Sequence, residues 1–183
     1  MVRVLDKKNS LYIQNLYPYQ RKSTAINHKY NALLGIGGNI GDVRRRFNHL
    51  FIYLKKSPYV SIIETTPIIK NPPFGYLEQD YFYNSLIYIK TSLKPKALLK
   101  YILHIEKKFS RKRSFQDAPR TLDIDMIFYE DLYMHSKELT LPHPSWQERD
   151  SVLIPMSYIK SNCFKTLKHY KQDYLYSLSH LKR

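Results

Sequence analysis

The chain has 183 residues and a formal net charge of +15 at pH 7, from 30 Lys and Arg against 15 Asp and Glu. That length fits a single domain with a hydrophobic core, and the positive charge favours anionic partners such as nucleotides, polyphosphates or nucleic acid. Cys163 is the single cysteine, which excludes a disulfide framework or a cysteine-based zinc site within one chain. We expect a cytoplasmic protein, with no membrane partner because no apolar run approaches membrane-spanning length.

The first predicted elements are a strand and an amphipathic helix. Residues 1–28 show little periodicity, and we expect an extension that is either mobile or folded as a small hairpin. Residues 31–37 form an apolar run that ends in glycines, which is typical of a central strand before a tight turn. Asp42 stands at a helix N-cap position, and apolar residues then recur at helical spacing as far as Pro58. They are Val43, Phe47, Leu50, Phe51 and Leu54.

Two strands, a second helix and a last strand follow. Residues 59–66 and 82–90 are rich in strand-forming residues and are separated by a loop. Pro95 suits the first turn of a helix, because apolar residues recur behind it at helical spacing. These residues are Leu98, Ile102, Ile105 and Phe109. Residues 122–129 form the last core strand, and residues 139–141 add a short one.

The order strand, helix, strand, strand, helix, strand predicts an α+β fold. It is the ferredoxin-like βαββαβ sandwich, in which helices pack on an antiparallel sheet. We expect one folded domain at residues 29–160, followed by a basic tail at residues 161–183.

Two acidic residues, Asp123 and Asp125, lie one residue apart in the last, otherwise apolar strand. Alternate residues of a strand point to the same face, so both carboxylates share one side, about 6.5 Å apart along the chain. They repel each other in a half-buried sheet unless positive charge lies between them, and oxygen ligands in small number suit Mg²⁺ bound to substrate phosphates. Arg120 adds a donor for a phosphate oxygen. An edge strand whose acids face water is the alternative that remains open.

The glycine-rich turn at residues 35–41 does not match a dinucleotide-binding fingerprint. Its third glycine falls one place late, and the predicted strand order is not that of a dinucleotide-binding fold. A phosphate-binding loop of the type Gly-x-x-x-x-Gly-Lys does not occur either. The glycines indicate a tight turn, close approach of a ligand, or both.

Phe82 and Asn84 share one face of their strand. A flat ring beside an amide, which offers both a donor and an acceptor, suits a planar heterocycle, although ordinary packing explains the same pattern.

Further polar candidates lie near the ends of the predicted elements. Arg111 and Arg113 belong to a polar loop and suit the binding of phosphates as a lid closes, with a charged surface loop as the alternative. His143 lies between two prolines that restrict the backbone. No second histidine has metal-ligand spacing, so His143 is better interpreted as a hydrogen-bond donor than as a zinc ligand.

Six segments, taken together, resemble one family. They are Gly-Gly-Asn-Ile-Gly at 37–41, Glu-Thr-Thr-Pro at 64–67, Phe-Tyr-Asn at 82–84, Glu106 with Arg-Lys-Arg at 111–113, Ala-Pro-Arg-Thr-Leu-Asp-Ile-Asp at 118–125, and Leu-Pro-His-Pro at 141–144 with Arg149. The family is the 6-hydroxymethyl-7,8-dihydropterin pyrophosphokinases of folate synthesis. The likeness covers about residues 31–156, and the family's α+β architecture agrees with the predicted fold.

The resemblance implies transfer of the β,γ-pyrophosphoryl group of ATP to the hydroxymethyl oxygen of the pterin, with release of AMP. It implies that Asp123 and Asp125 hold two Mg²⁺ ions and that Arg111 and Arg120 also take part in catalysis. The residues implied in ATP binding are Glu106, Arg113, Thr140, His143 and Arg149. Those implied in lining the pterin pocket are Thr66, Pro67, Phe82 and Asn84. Asp123 is the first candidate for the general base, and we expect a monomer without a specific nucleic-acid partner.

The chain departs from the family in three places. The family usually carries Trp at the position of Asp117 and Phe at that of Ser151, and residues 1–28 precede its usual start. One face of the pterin therefore lacks its usual stacking partner, a contact worth about 0.5–1.5 kcal/mol beyond area burial, so we expect weaker pterin binding. Phe115 and Trp146 are the candidates for replacing that partner.

Two other functions remain open. One is a degenerate relative that binds ATP but binds the pterin weakly. The other is a basic ferredoxin-like module that binds nucleic acid, as RNA-recognition domains share this strand order. Residues 82–90 lack the glycine-aromatic pattern of such domains, and the two aspartates would repel RNA phosphates.

Overall fold

The computed structural model describes residues 3–6, 10–22, 26–73, 78–110, 119–161 and 164. Within these ranges the chain forms ten strands and three α-helices. The elements are β1 (Arg3–Asp6), β2 (Leu11–Ile13), β3 (Tyr19–Gln20), β4 (Tyr30–Gly38), α1 (Val43–Lys55), β5 (Val60–Thr65), β6 (Ile68–Asn71), β7 (Phe82–Thr91), α2 (Pro95–Lys108), β8 (Asp123–Tyr129), β9 (Met134–His135), β10 (Thr140–Leu141) and α3 (Asp150–Met156). None of the helices in these ranges has the length and apolarity needed to cross a lipid bilayer.

The main sheet is antiparallel and is built around β4. This strand pairs with β7 on one side and with β8 on the other, and β7 also pairs with β5 and β6. Along the chain, β4, α1, β5, β7, α2 and β8 follow the order strand, helix, strand, strand, helix, strand. The predicted α+β fold with an antiparallel sheet and packed helices is therefore confirmed.

The two long helices begin where the sequence predicts. The Asp42 side chain accepts a hydrogen bond from the Arg45 backbone N–H at 3.0 Å, which caps α1. Pro95 occupies the first turn of α2, where its missing N–H removes no helical hydrogen bond. The apolar stripe of each helix is buried on the sheet, apart from Phe109, which caps the end of α2 and is half-buried.

A second hydrophobic cluster lies under α3, apart from the core beneath α1 and α2. Trp146 packs edge-on against Phe128, with ring centroids 5.0 Å apart, and Val152 and Met156 of α3 join them. Phe164 contacts Phe128 as well, at 5.7 Å. The sequence did not predict α3, since seven residues with a proline inside give too little periodicity.

The described part of residues 1–28 is packed on the domain. β1 and β2 form an antiparallel pair, β2 extends the sheet beyond β6, and β3 pairs with β5. Tyr17 has no exposed surface, packs against Phe47 and Phe51, and donates its hydroxyl to the Phe47 carbonyl at 3.1 Å.

The start of the predicted basic tail is tied to the sheet by a buried carboxylate. Glu64 is 3% exposed, and its two oxygens accept the backbone N–H groups of Lys160 at 2.7 Å and Ser161 at 3.2 Å. Of residues 161–183, only Ser161 and Phe164 lie within the described ranges.

Candidate active site

A cavity of about 650 Å³ brings most of the predicted site residues together. Its walls come from β4, β7, β8, α2, the end of β6 with the two prolines after it, and the segment from 136 to 152. The predicted residues among its lining are Phe82, Asn84, Glu106, Arg120, Asp123, Asp125, Thr140, His143 and Arg149. Arg111 and Arg113 lie outside the described residues, so their assignment stays a prediction.

The two aspartates lie on the same wall of the cavity. In the register of β8 with β4, Asp123 stands opposite Gly37 and Asp125 opposite Gly35, and all four residues line the cavity. The side chains are 15% and 39% exposed, so neither acid stands free in bulk water. In the described part of the chain β8 is an edge strand of the main sheet, as one alternative expected, but its two carboxylates line the cavity and are partly buried.

Each aspartate has an arginine beside it. Arg120 Nη1 lies 2.6 Å from Asp123 Oδ2, and Arg149 Nη1 lies 3.6 Å from Asp125 Oδ2. The Nε atoms of both arginines are buried and have no hydrogen-bond partner among the described residues. Both arginines line the cavity, so their guanidinium groups lie where an anionic ligand can be bound.

The glycines predicted in a turn, Gly37 and Gly38, are the last residues of β4, where close packing favours them. A Cβ atom at Gly37 would lie 2.5 Å from Asn84 Oδ1, and one at Gly38 would lie 2.6 Å from the Thr121 carbonyl oxygen. These distances leave no room for a side chain, so the glycines allow β4 to approach both the Asn84 side chain and the segment before β8.

Asn39 links the end of β4 to residues 79–80 and to Arg120, and sequence reasoning missed this role. Its Nδ2 donates to Gln79 Oε1 at 2.9 Å and to the Asp80 carbonyl at 3.2 Å. Its Oδ1 accepts the Arg120 backbone N–H at 2.8 Å, which helps to fix Arg120 beside Asp123. The glycine-rich run indicated a tight turn or close approach of a ligand, and partners 40 to 81 positions away left no local signal.

His143 is held as a neutral imidazole. Burial and the nearby Arg149 charge lower its pKa below the ordinary 6.5, while Asp123 acts in the opposite direction. The Ser145 backbone N–H donates to His143 Nδ1 at 3.2 Å, which leaves the proton of the neutral ring on Nε2. The structure thus agrees with a hydrogen-bond donor at this position.

The lowered pKa of His143 predicts a loss of stability in acid. The histidine takes up a proton more readily in the unfolded chain, so the free energy of unfolding falls as the pH drops below 6.5. We expect this fall to be smaller in His143→Asn. Urea unfolding of both proteins with a chelator, at about pH 7.5 and about pH 5.5, measures the difference. Equal falls in the two proteins would contradict the assigned environment.

Glu106 and Thr140 lie on the α2 and β10 sides of the cavity. Glu106 is 2% exposed, and its Oε1 accepts the Ile124 backbone N–H at 2.8 Å, which ties α2 to β8. Thr140 Oγ1 lies 3.0 Å from His135 Nδ1. The apolar side chains of Leu99, Leu103 and Leu139 line the same region.

Thr66 and Pro67, two of the residues predicted to line the pterin pocket, lie behind the cavity wall that contains Ser85. Thr66 has no exposed surface and is hydrogen-bonded to Ser85 Oγ at 3.0 Å, and Ser85 is part of the lining. Pro67 is buried as well. Neither residue lines the cavity in the part of the chain that the structure describes, so any role of theirs acts through Ser85 and the neighbouring backbone.

The hypothesis that Trp146 replaces the missing aromatic partner is wrong. Its side chain is 6% exposed and packs on Phe128 in the cluster under α3, away from the cavity lining. Ser151 does line the cavity. The other candidate, Phe115, and the altered position Asp117 lie outside the described residues.

Comparison with known proteins identifies the family. Residues 33–161 match the family model for 7,8-dihydro-6-hydroxymethylpterin-pyrophosphokinase (HPPK). A 2-amino-4-hydroxy-6-hydroxymethyldihydropteridine pyrophosphokinase from Helicobacter pylori is 43% identical over 128 residues, which are 69% of this chain and 78% of the relative. Proteins of the same name from Campylobacter jejuni and Aquifex aeolicus are 40% and 32% identical, over 72% and 76% of this chain and 83% and 89% of their own. The chain is a member of the 7,8-dihydro-6-hydroxymethylpterin-pyrophosphokinase family of enzymes.

Proposed function

We propose that this protein transfers the β,γ-pyrophosphoryl group of ATP to the hydroxymethyl oxygen of 6-hydroxymethyl-7,8-dihydropterin and releases AMP, in folate synthesis. Membership of a pyrophosphokinase family makes ATP the co-substrate. The observation that carries the proposal is one cavity that joins two carboxylates and two arginines to an aromatic ring and an amide. The first group suits a metal-bound triphosphate, and the second suits a flat heterocycle.

Asp123 and Asp125 are proposed to hold Mg²⁺, with two ions expected. No group of three or more His, Cys, Asp or Glu side chains suitable for a metal occurs in the described ranges. Two carboxylates fit Mg²⁺, which keeps several waters and takes further ligands from substrate phosphates. When bound, the metal would neutralise charge on the transferred group.

The nucleotide is proposed to lie between the arginines and α2. Arg120 and Arg149 would donate to phosphate oxygens from their guanidinium groups, and His143 would donate from Nε2. Glu106 and Thr140 would seat the nucleoside, with the leucines of the cavity beside its base. Arg111 and Arg113, which lie between α2 and β8 in the sequence, are proposed to bind phosphates.

The pterin is proposed to lie against β7. Phe82 would stack on the ring and Asn84 would bind its polar edge, with Thr66 and Pro67 supporting that wall from behind. The guanidinium group of Arg120 lies over the Phe82 ring, with its central carbon 5.1 Å from the ring centre, so it borders the same part of the cavity.

The chain's own contribution to the reaction is positioning and charge. The hydroxymethyl oxygen attacks the β-phosphorus, the bond from that phosphorus to the α,β-bridging oxygen breaks, and AMP leaves with that oxygen. Arg120 and Arg149 stabilise negative charge on the phosphates, and the walls hold the two reactants in line. Asp123 stays the first candidate for accepting the hydroxyl proton. We further propose that the enzyme acts as a cytoplasmic monomer without a nucleic-acid partner.

A coupled assay of AMP release tests the proposed function. We expect AMP to form only when ATP, hydroxymethyldihydropterin and Mg²⁺ are all present, and EDTA to abolish it. AMP formation that does not depend on the pterin, or no AMP at all, would favour the degenerate relative instead. Activity that persists in excess EDTA would remove the metal assignment.

A further inference from the structure

We propose that Asn71 fixes the orientation of the Asn84 side-chain amide and so determines which atom Asn84 presents to the pterin. The inference rests on the proposed function, because it takes the Asn84 wall as the pterin side. Both asparagines line the cavity, at the end of β6 and near the start of β7. The sequence assigned no role to Asn71.

A backbone carbonyl, that of Pro72, sets which amide atoms donate and which accept in this series of hydrogen bonds. The oxygen of Pro72 can only accept, and Asn71 Nδ2 donates to it at 2.9 Å. This bond turns Asn71 Oδ1 toward Asn84, whose Nδ2 donates to it at 2.6 Å. A flipped Asn84 amide would bring two oxygens together at that distance, so each group in the series fixes the next one.

The opposite end of the Asn84 amide is then an acceptor. Asn84 Oδ1 lies beside Gly37, where a Cβ atom would come within 2.5 Å of it, and Gly37 belongs to the same cavity wall. The oxygen is held against the glycine backbone and accepts from ligand N–H groups. A 2-amino pteridine carries such donors on its amino group and ring, so this orientation favours its donor edge.

The strand that carries Asn71 is supported on both sides. β7 pairs with it through Asn71 and Phe82, and β2 pairs with it through Leu11 and Ile69. The Lys70 backbone N–H also donates to the Ser10 carbonyl at 3.0 Å. β2 precedes residues 33–161, so this support comes from chain outside the matched family region.

Two variants of Asn71 and one control test the inference by steady-state kinetics. Asn71→Leu keeps a similar volume but removes the acceptor, and we expect the KM for the pterin to rise about tenfold while kcat and the KM for ATP stay near wild type. Asn71→Asp keeps an oxygen that accepts from Asn84 Nδ2 but loses the bond to the Pro72 carbonyl, so its pterin KM should rise less than that of Asn71→Leu. Asn27 is exposed and does not line the cavity, so Asn27→Leu should change nothing.

Three outcomes overturn the inference. They are a wild-type pterin KM in Asn71→Leu, equal rises in the Leu and Asp variants, and a combined change of kcat and both KM values that indicates general distortion. Failure of the proposed function itself is distinguished by the wild-type protein, which would then release no AMP in response to the pterin.

Discussion

Asp125→Asn is expected to lower the rate of pterin-dependent AMP release about 10³-fold and to leave the fold intact. The change removes one negative charge from the pair proposed to hold Mg²⁺ and keeps the size of the side chain. Asp125 gives a cleaner test than Asp123, because its distance to the Arg149 guanidinium is 3.6 Å, whereas Asp123 lies 2.6 Å from Arg120. Initial rates at saturating ATP measure the effect, and thermal unfolding checks the fold.

Asp131→Asn is the matched control for this substitution. Asp131 follows β8 and is exposed, so the same chemical change there should leave the rate near wild type. We also expect higher Mg²⁺ concentrations to restore part of the activity of Asp125→Asn. A variant with wild-type turnover at every Mg²⁺ concentration would show that Asp125 holds no metal.

Tyr17→Ala is expected to lower the free energy of unfolding by about 3–5 kcal/mol, the usual cost of truncating a buried aromatic side chain. The ring has no exposed surface and packs against Phe47 of α1 at 5.8 Å, so truncation would leave a cavity between the extension and the helix. Urea unfolding at 25 °C measures the change. This result would establish residues 10–20 as part of the core.

Two further substitutions separate the contributions to this effect. Tyr17→Phe removes only the hydroxyl that donates to the Phe47 carbonyl, and we expect a loss of about 1 kcal/mol. Tyr133 is 73% exposed, so Tyr133→Ala should change stability by less than about 0.5 kcal/mol. If Tyr17→Ala were as mild as Tyr133→Ala, the extension would not be packed as described.

The fold was predictable where the signal is local. Helical spacing from Val43 to Leu54 identified α1, and Pro95 marked the start of α2. The alternation of Asp123 and Asp125 placed both carboxylates on one face, because strand geometry alone decides it. These features depend on neighbours within one or two turns of chain, so a single sequence contains them.

The rest depends on contacts between distant segments. Tyr17 looks like any tyrosine in an irregular stretch, and its burial comes from Phe47, 30 residues later. The hydrogen bond from the Arg120 N–H to Asn39 joins residues 81 positions apart. The short strand β6 becomes a strand because β2 and β7 flank it. No periodicity within the sequence encodes such pairings.

In the candidate site, too, the sequence predicted what depends on neighbouring residues and not what depends on tertiary packing. The motif placed Arg120 near Asp123, and the structure adds the short ion pair between them. The sequence could not show that Thr66 lies behind the cavity wall or that Trp146 points into the cluster under α3, because the direction of a side chain follows from tertiary packing.

The position of Trp146 gives this protein an intrinsic optical probe. It is the single tryptophan of the chain, it lies in an apolar environment at 6% exposure, and it is three residues from Arg149. Indole fluorescence shifts to longer wavelength when the ring meets water, so emission from the unlabelled protein will report when this cluster opens. Because the signal arises next to α3, comparing it with circular dichroism will show whether this cluster opens together with the helices and strands of the whole domain.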